Sequence, residues 1–286
     1  MRIDGKVIAD QILENLKAKV ISLKKKGIIP TIAVVLVGDN AGSLSYIKQK
    51  EKAAMAIGAK LLFKQLPVTS TPEILADTIA SYNNDESVHG LIIQRPVPLP
   101  EVSEILTLVS AKKDIDGFIE NSPYQAPVAR GVLVILTAIH HHLQEKKFIN
   151  KDFLPWLQRE NIAVIGRGET AGRPIATMLT SCECSPSIVH SQTPHPTETL
   201  KHATIVICCV GAPHVITKTN ISRGVILIAV GLFRGADGKL HGDYEEDEIK
   251  DIASFYTPTP GGVGPVNVAA LMQNLIDACA LQKNDH

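Results

Sequence analysis

Tyr46 and Lys50 are the first residues whose types and spacing could do chemistry. Their separation of four puts a phenol and an amine on one helical face, one turn apart. The stretch also holds Lys48 and Lys52, and on those local grounds surface decoration explains the pair. Gln94 and Asp116 shift that balance, because a lysine, a tyrosine, an amide and a carboxylate in one cleft can bind a ligand and move protons. A second constellation, Gly166-Arg-Gly-Glu-Thr-Ala-Gly-Arg-Pro174, follows the apolar run 162–165 and opens a helical stretch. Glycines there allow a tight turn and close approach of backbone to a pyrophosphate, whose charge meets the helix N-terminus. The spacing is GxGxxxG rather than GxGxxG, so a plain strand–helix turn is the competing reading. The next strand ends in His190-Ser191-Gln192-Thr193, with no Asp or Glu for a ribose 2′-hydroxyl. Neutral hydrogen-bonding groups there, with Arg167 in the loop, suit a 2′-phosphate and favour NADP over NAD. A third stretch, 256–265, combines prolines that stiffen the chain with glycines that let backbone approach another surface or a ligand. A structural hinge fits its composition equally well.

An alternation of elements must position these groups. Ile8, Ile12, Leu16, Val20 and Leu23 recur at helical steps, so the first 27 residues read as a helix closed by Gly27. Thr31–Val37 is a continuous β-branched run, as expected of a strand buried on both faces. A turn and cap at 37–40 lead into a helix ending near residue 57. Strands follow at 59–66 and 88–94, and helices at 71–81 and 101–109. This order implies a parallel sheet with helices on its faces. Ligands collect outside the carboxyl ends of such strands, and Gln94 and the turn before Tyr46 both lie at that edge.

A polar stretch, 112–125, reads as an interdomain connection. The helix after it, from 130 to about 143, is apolar on nearly every side, is expected to be buried between domains, and ends in His140-His141-His142. Three adjacent histidines point three ways and cannot share one metal, which leaves interaction with the helix C-terminal dipole. A second α/β series places strands at 161–165, 185–190, 204–209 and 225–230. The closing helix, 265–281, starts with Pro265 at its first position.

With 286 residues, the chain is near twice the usual domain size and two domains are expected. Apolar residues at 45% and charged ones at 20% describe a globular protein rather than a disordered or fibrous one. Lys plus Arg and Asp plus Glu balance at 29 each, so no net field points to nucleic acid or an anionic membrane. The opening residues do not read as a secretory leader, and the apolar runs are too short to span a bilayer. Five cysteines, an odd number with two pairs too close for ordinary bridges, argue for a reducing compartment and a cytoplasmic protein. Cys182 and Cys184 form a CxC without a second Cys/His pair at ligand spacing, so no metal is expected.

Taken together, the chain resembles, over essentially its whole length, the bifunctional methylenetetrahydrofolate dehydrogenase/methenyltetrahydrofolate cyclohydrolase family. The resemblance is carried by Tyr46-Ile-Lys-Gln-Lys50, His89-Gly-Leu-Ile-Ile-Gln94-Arg-Pro and Lys113-Asp-Ile-Asp-Gly-Phe118. It continues through the turn 166–174, Gly238-Lys-Leu-His-Gly-Asp243 and Pro260-Gly-Gly-Val-Gly-Pro265. It implies two α/β domains flanking a cleft, the C-terminal one a Rossmann-type NADP-binding domain, with the C-terminal helix returning to the N-terminal domain. The implied division is 1–125 plus 265–286 for catalysis and folate binding, and 126–264 for NADP. The implied activity is oxidation of 5,10-methylenetetrahydrofolate with NADP, then hydrolysis of the methenyl product to 10-formyltetrahydrofolate. A folate substrate and a second copy of the chain are the implied partners.

Residue by residue, the resemblance makes Lys50 the catalytic lysine, with Tyr46 stacking on or orienting the folate. Gln94 would hydrogen-bond Lys50, and Asp116 would anchor the pterin ring. Pro260, Gly261 and Gly262 join Tyr46, Lys50 and Asp116 among the substrate contacts. Cofactor contacts fall on Gly166, Arg167, Gly168, Gly172, Ser191, Gly211 and Leu232. A free lysine titrates near ~10.4. Burial, or a cationic methenyl carbon nearby, lowers that value and makes Lys50 a usable base. An amide partner adds no charge, whereas a carboxylate would hold the lysine protonated.

The chain departs from the family pattern at several points. Arg95-Pro96-Val97-Pro98 stands where the family usually has Leu-Pro-Leu-Pro, and the loop 119–130 is shortened. Gly168 replaces the usual Ser of the Gly-Arg-Ser turn, and Ala229 replaces the usual Asp before the next glycine turn. None of these is Tyr46, Lys50, Gln94 or Asp116, so catalysis is expected to persist. The rivals are a monofunctional NAD(P)-dependent methylenetetrahydrofolate dehydrogenase and a non-catalytic dinucleotide-binding homologue. Hydrolysis no faster than in buffer would favour the first; absence of NADPH formation would favour the second.

Overall fold

The computed structural model describes residues 1–100, 102–146 and 152–283. Its elements run α1 (Gly5–Lys25), β1 (Thr31–Val37), α2 (Ala41–Ile57), β2 (Lys60–Leu66), α3 (Pro72–Asn84), β3 (Gly90–Ile93) and α4 (Val102–Leu106). There follow α5 (Pro127–Glu145), α6 (Phe153–Leu157), β4 (Ile162–Ile165), α7 (Gly172–Ser181), β5 (Ser187–Val189), α8 (Pro196–His202) and β6 (Ile205–Cys208). The last are β7 (Ile226–Ala229), β8 (Phe233–Arg234), β9 (Leu240–His241), α9 (Glu246–Ile249), β10 (Phe255–Tyr256) and α10 (Val263–Lys283). The chain divides into two compact units, Asp10–Pro127 with Val268–His286, and Met1–Ala9 with Val128–Asn267.

In the first unit a parallel sheet of order β2-β1-β3 carries helices on both faces. Every residue of β1 is buried, because alternate side chains serve two cores. Ile32, Val34 and Leu36 pack with Leu16, Ile57 and Leu275 of the flanking helices. Ala33, Val35 and Val37 face Leu75, Ile79 and Leu91. That two-sided burial explains a β-branched run with no polar alternation, and each aliphatic side chain so buried contributes roughly 1.5–3 kcal/mol. Asn40 caps α2 by accepting from the Ser43 N–H at 2.9 Å, and Gly58, at φ 82°, ends it.

The second unit holds a five-stranded parallel sheet of order β10-β7-β6-β4-β5. With only this sheet's strands counted from β4, this is the doubly wound 2-1-3-4-5 arrangement, whose direction reverses between β4 and β6. Its core gathers Ala163, Val206, Leu227, Ile249 and Tyr256. Among the described residues, no helix is long and apolar enough to cross a membrane.

Several expectations need correction. Helix α4 covers Val102–Leu106 rather than 101–109, and Glu101 lies outside the described residues. Helix α5 starts three residues early because Pro127, lacking an N–H, suits a first helical position. Helix α10 begins at Val263, so Pro265 is its third residue; an N–H at that position would have no intrahelical partner, so the ring is tolerated there. His140 is not at the end of α5, which runs on to Glu145. It is 3% exposed, with ring centroids 5.3 Å from Trp156 and 5.5 Å from Phe153. The two-residue strands β8, β9 and β10 escape the sequence reading because no period-two pattern fits in two residues.

Candidate active site

Ser43, Ile47, Lys50, Ala54 and Ile57 form the buried stripe of α2 at steps of three and four. Lys50 therefore occupies a core position and is 3% exposed, while Lys48 and Lys52 on other faces are exposed. Surface decoration fits those two lysines and not Lys50. Its Nζ donates to Gln94 Oε1 at 3.0 Å and lies 4.9 Å from the centroid of the Tyr46 ring. Gln94 Nε2 in turn donates to the Arg95 carbonyl at 3.0 Å. That bond turns the amide oxygen toward the amine, so the amine keeps a lone pair when it is neutral. Burial lowers the Lys50 pKa from its ordinary value, and Asp116 pulls it back up by a smaller amount. Tyr46 shifts upward, first through burial and then through Asp116, so it stays a phenol.

Asp116 sits on a loop that is tied down on several sides. Asp114, 3% exposed, accepts from the Ile119 N–H at 2.8 Å, and burial lifts its pKa to about 6. Lys113 donates to the carbonyls of Tyr82 and Asp85 at 2.9 and 2.7 Å, closing the end of α3. From α10, fully buried Asn274 donates to the carbonyls of Ile115 and Gln125 at 2.8 and 2.9 Å. Sequence reasoning passed over Asp114 and Asn274. Asp114 was visible within the Lys113–Phe118 motif, whereas Asn274 carried only the signal of an amide in an otherwise apolar helix. The shortened loop is tied to this unit as well: Tyr124 is buried and its hydroxyl donates to the Lys112 carbonyl at 3.0 Å. Arg95 lays its guanidinium 4.3 Å from the Phe118 ring centroid, so this cation is spent on an aromatic face two residues beyond Asp116.

In the second unit, the proposed cofactor contacts fall at the carboxyl ends of adjacent strands. Gly166 to Gly172 follow β4, Ser191 follows β5, Gly211 follows β6 and Leu232 follows β7. The turn after β4 works because side chains are missing. A Cβ on Gly172 would lie 2.1 Å from the Gly166 carbonyl oxygen, and Gly166 itself has φ 97°. A Cβ on Gly168 would meet nothing within 4 Å, so packing does not require a glycine there. Arg167 Nη2 reaches Gln192 Oε1 at 3.4 Å, and Ser191 is exposed beside it. No carboxylate stands in the run 190–193.

The structure brings Tyr46, Lys50, Gln94 and Asp116 together in the first unit. Pro260, Gly261 and Gly262 belong to the second unit, where the Gly261 carbonyl accepts from the Gly5 N–H at 2.9 Å. A Cβ on Gly5 would lie 1.8 Å from the Gly262 carbonyl oxygen, so backbone meets backbone at that point. Asp243 is fully buried and accepts from the N–H groups of Gly211, Ala212 and Gly231. Its place in the Gly238–Asp243 motif was the available signal, but nothing in the spacing linked it to Gly211 or Gly231.

Residues 3–116 match the catalytic-domain model of the tetrahydrofolate dehydrogenase/cyclohydrolase family, and residues 127–283 match that family's NAD(P)-binding-domain model. The chain belongs to the tetrahydrofolate dehydrogenase/cyclohydrolase family. Similarity within the family extends along the whole chain. It is 33% identical to the bifunctional protein FolD of Levilactobacillus brevis, over 97% of this chain and 96% of that one. Its fold matches the crystal structure of the bifunctional enzyme FolD from Campylobacter jejuni with a TM-score of 0.89 at 32% identity, covering 100% and 99% of the two chains. The FolD structure from Trypanosoma brucei, complexed with NADP cofactor and inhibitor, matches with a TM-score of 0.84 at 27% identity, covering 98% and 97%. For this family member, the Lys50 cluster lies in the catalytic-domain match and the glycine turns in the NAD(P)-binding match.

Proposed function

We propose that the chain oxidises 5,10-methylenetetrahydrofolate to the 5,10-methenyl form with NADP and then hydrolyses that product to 10-formyltetrahydrofolate. The observation that carries this reading is a buried lysine amine, its pKa lowered by burial, 3.0 Å from a neutral amide. In this reading the unit of Asp10–Pro127 and Val268–His286 binds folate, and the unit containing Val128–Asn267 binds the dinucleotide. The residues present fit NADP. The turn 166–172 offers backbone unobstructed by side chains at the N-terminus of α7, and Arg167, Ser191 and Gln192 offer a cation and neutral donors to a 2′-phosphate. When bound, NADP accepts the hydride that leaves the methylene carbon.

The chain's own residues serve both steps. In the first, they hold the donor carbon in place. Tyr46 presents a ring face to the pterin, and Asp116 accepts hydrogen bonds from its amine and ring N–H groups. In the second, water attacks the cationic methenyl carbon and neutral Lys50 takes one of its protons. The C–N5 bond then breaks, the proton on Lys50 returns to N5, and the second water proton leaves as the carbonyl forms. A methenyl cation nearby disfavours the ammonium form, so substrate binding itself readies the base. The same reading makes the enzyme a cytoplasmic homodimer; all five cysteines are free thiols, which fits a reducing compartment.

The test mixes enzyme, 5,10-methylenetetrahydrofolate and NADP, and follows NADPH and methenyl absorbance together. NADPH formation followed by methenyl decay faster than in buffer is expected. NADPH formation without accelerated decay reduces the activity to the dehydrogenase alone, and no NADPH rejects the reading.

A further inference from the structure

Asp243 is a fully buried carboxylate that takes no part in the reaction as written. Its Oδ1 accepts from Gly211 N at 2.6 Å and Ala212 N at 3.2 Å, and its Oδ2 accepts from Gly231 N at 3.1 Å. The residues it joins follow β6 and β7, the two strands next to β4 on the side away from β5. The packing around it leaves no slack. A Cβ on Gly231 would lie 2.2 Å from Gly211 N and 2.5 Å from Asp243 Oδ2, and one on Gly211 would lie 2.7 Å from the Leu232 carbonyl oxygen. Gly211 also holds φ 72°.

We propose that Asp243 is a positioning residue for the dinucleotide: it clamps the ends of β6 and β7 together so that Gly211 and Leu232 present their backbone to the cofactor. The inference rests on the NADP reading above. A carboxylate suits the task because both its oxygens accept and neither donates, and the groups bonded to it, three backbone N–H groups and the Cys208 thiol, are donors. An ordinary surface acid would instead be solvated, and a cap would serve one helix end. Asp243 does neither, since its three backbone N–H donors come from two separate loops. Leu232 is 51% exposed, so the side chain beyond the clamp is free to meet a ligand. The hydrolytic step needs no dinucleotide, which separates damage to this clamp from damage to catalysis.

Asp243→Asn keeps the shape but turns an amide N–H toward either Gly231 N or the Gly211 and Ala212 pair, placing donor against donor. We expect its KM for NADP to rise at least tenfold with kcat within threefold, hydrolysis of methenyltetrahydrofolate within twofold of wild type, and the thermal shift given by NADP to shrink. Gly231→Ala, which forces the same two loops apart from the other side, is expected to give the same pattern. An unchanged KM for NADP in a folded variant overturns the proposal, as does a parallel loss of both activities. Failure of both variants to give soluble protein also overturns it, because the contact then belongs to folding and not to the loop geometry. Wild-type protein lacking NADP-dependent oxidation sinks the underlying reading instead, and is told apart by running it first.

Discussion

Lys50 reaches Gln94 from the core stripe of α2, with its amine buried and its one amide partner itself held by the Arg95 carbonyl. The turn after β4 presents the opposite construction: backbone alone, at a place where an added methyl on Gly172 would strike the Gly166 carbonyl. The first region depends on which functional group is present. The second depends on side chains being absent. A side-chain site is therefore broken by deletion with little harm to the fold, whereas a backbone site is broken by addition, and the fold suffers with it. The Asp243 clamp joins the two principles, since a side chain there exists to arrange backbone.

Lys50→Met makes the sharpest cut. It removes the amine while keeping a flexible apolar side chain in the stripe, so hydrolysis is expected to fall about 10³-fold, within the range for loss of a proton-transfer group. The NADP-induced thermal shift should persist. A hydrolysis rate near wild type removes Lys50 from the mechanism.

Gly172→Ala tests the other region by addition. With 2.1 Å between the new Cβ and a carbonyl oxygen, destabilisation of about 2–4 kcal/mol is expected, with NADP binding lost in parallel. A melting curve beside an NADP titration checks it, and an unshifted midpoint would mean that the turn yields easily.

Gln94→Glu is a smaller change with a defined sign. Burial holds the Lys50 pKa below its ordinary value, and a carboxylate 3.0 Å away favours the ammonium form. In the proposed mechanism hydrolysis uses the neutral amine, so the pH–rate profile should move to higher pH, and activity at pH 7 should drop roughly tenfold for each unit of the shift. A profile that stays in place, or moves toward acid, would show that Gln94 does not govern the amine.

Gly168→Ser should do least. Open space surrounds the position, so stability is expected to stay within about 0.5 kcal/mol and KM for NADP within a few-fold of wild type. A large loss in either would mean that this glycine, too, serves the backbone.

The legible part of the fold was the part with strong periodicity. β1 matches its expected span, and α2 starts directly after the turn and cap at 37–40, because a seven-residue apolar run and a capped helix are local signals. The strands β8 to β10 are only two residues long and form through neighbours already in place, so nothing local marks them. His140 shows the same limit: its sequence neighbours suggested a helix end, and its burial comes from Phe153 and Trp156, more than ten residues away.

By itself the sequence determined the α/β alternation, the glycine-rich turn and the identity of the groups available for proton transfer. These depend on spacing within an element and on residue chemistry, and both are local. Local spacing left Lys50 one of several lysines on one helix; only the folded packing makes it the one that faces inward and meets Gln94, the contact that the family resemblance had implied. Tertiary structure also decided that Asn274 holds the Asp116 loop and that Asp243 holds Gly211 and Gly231. Such contacts join positions far apart in the chain, and no spacing rule within one element can reach across that distance.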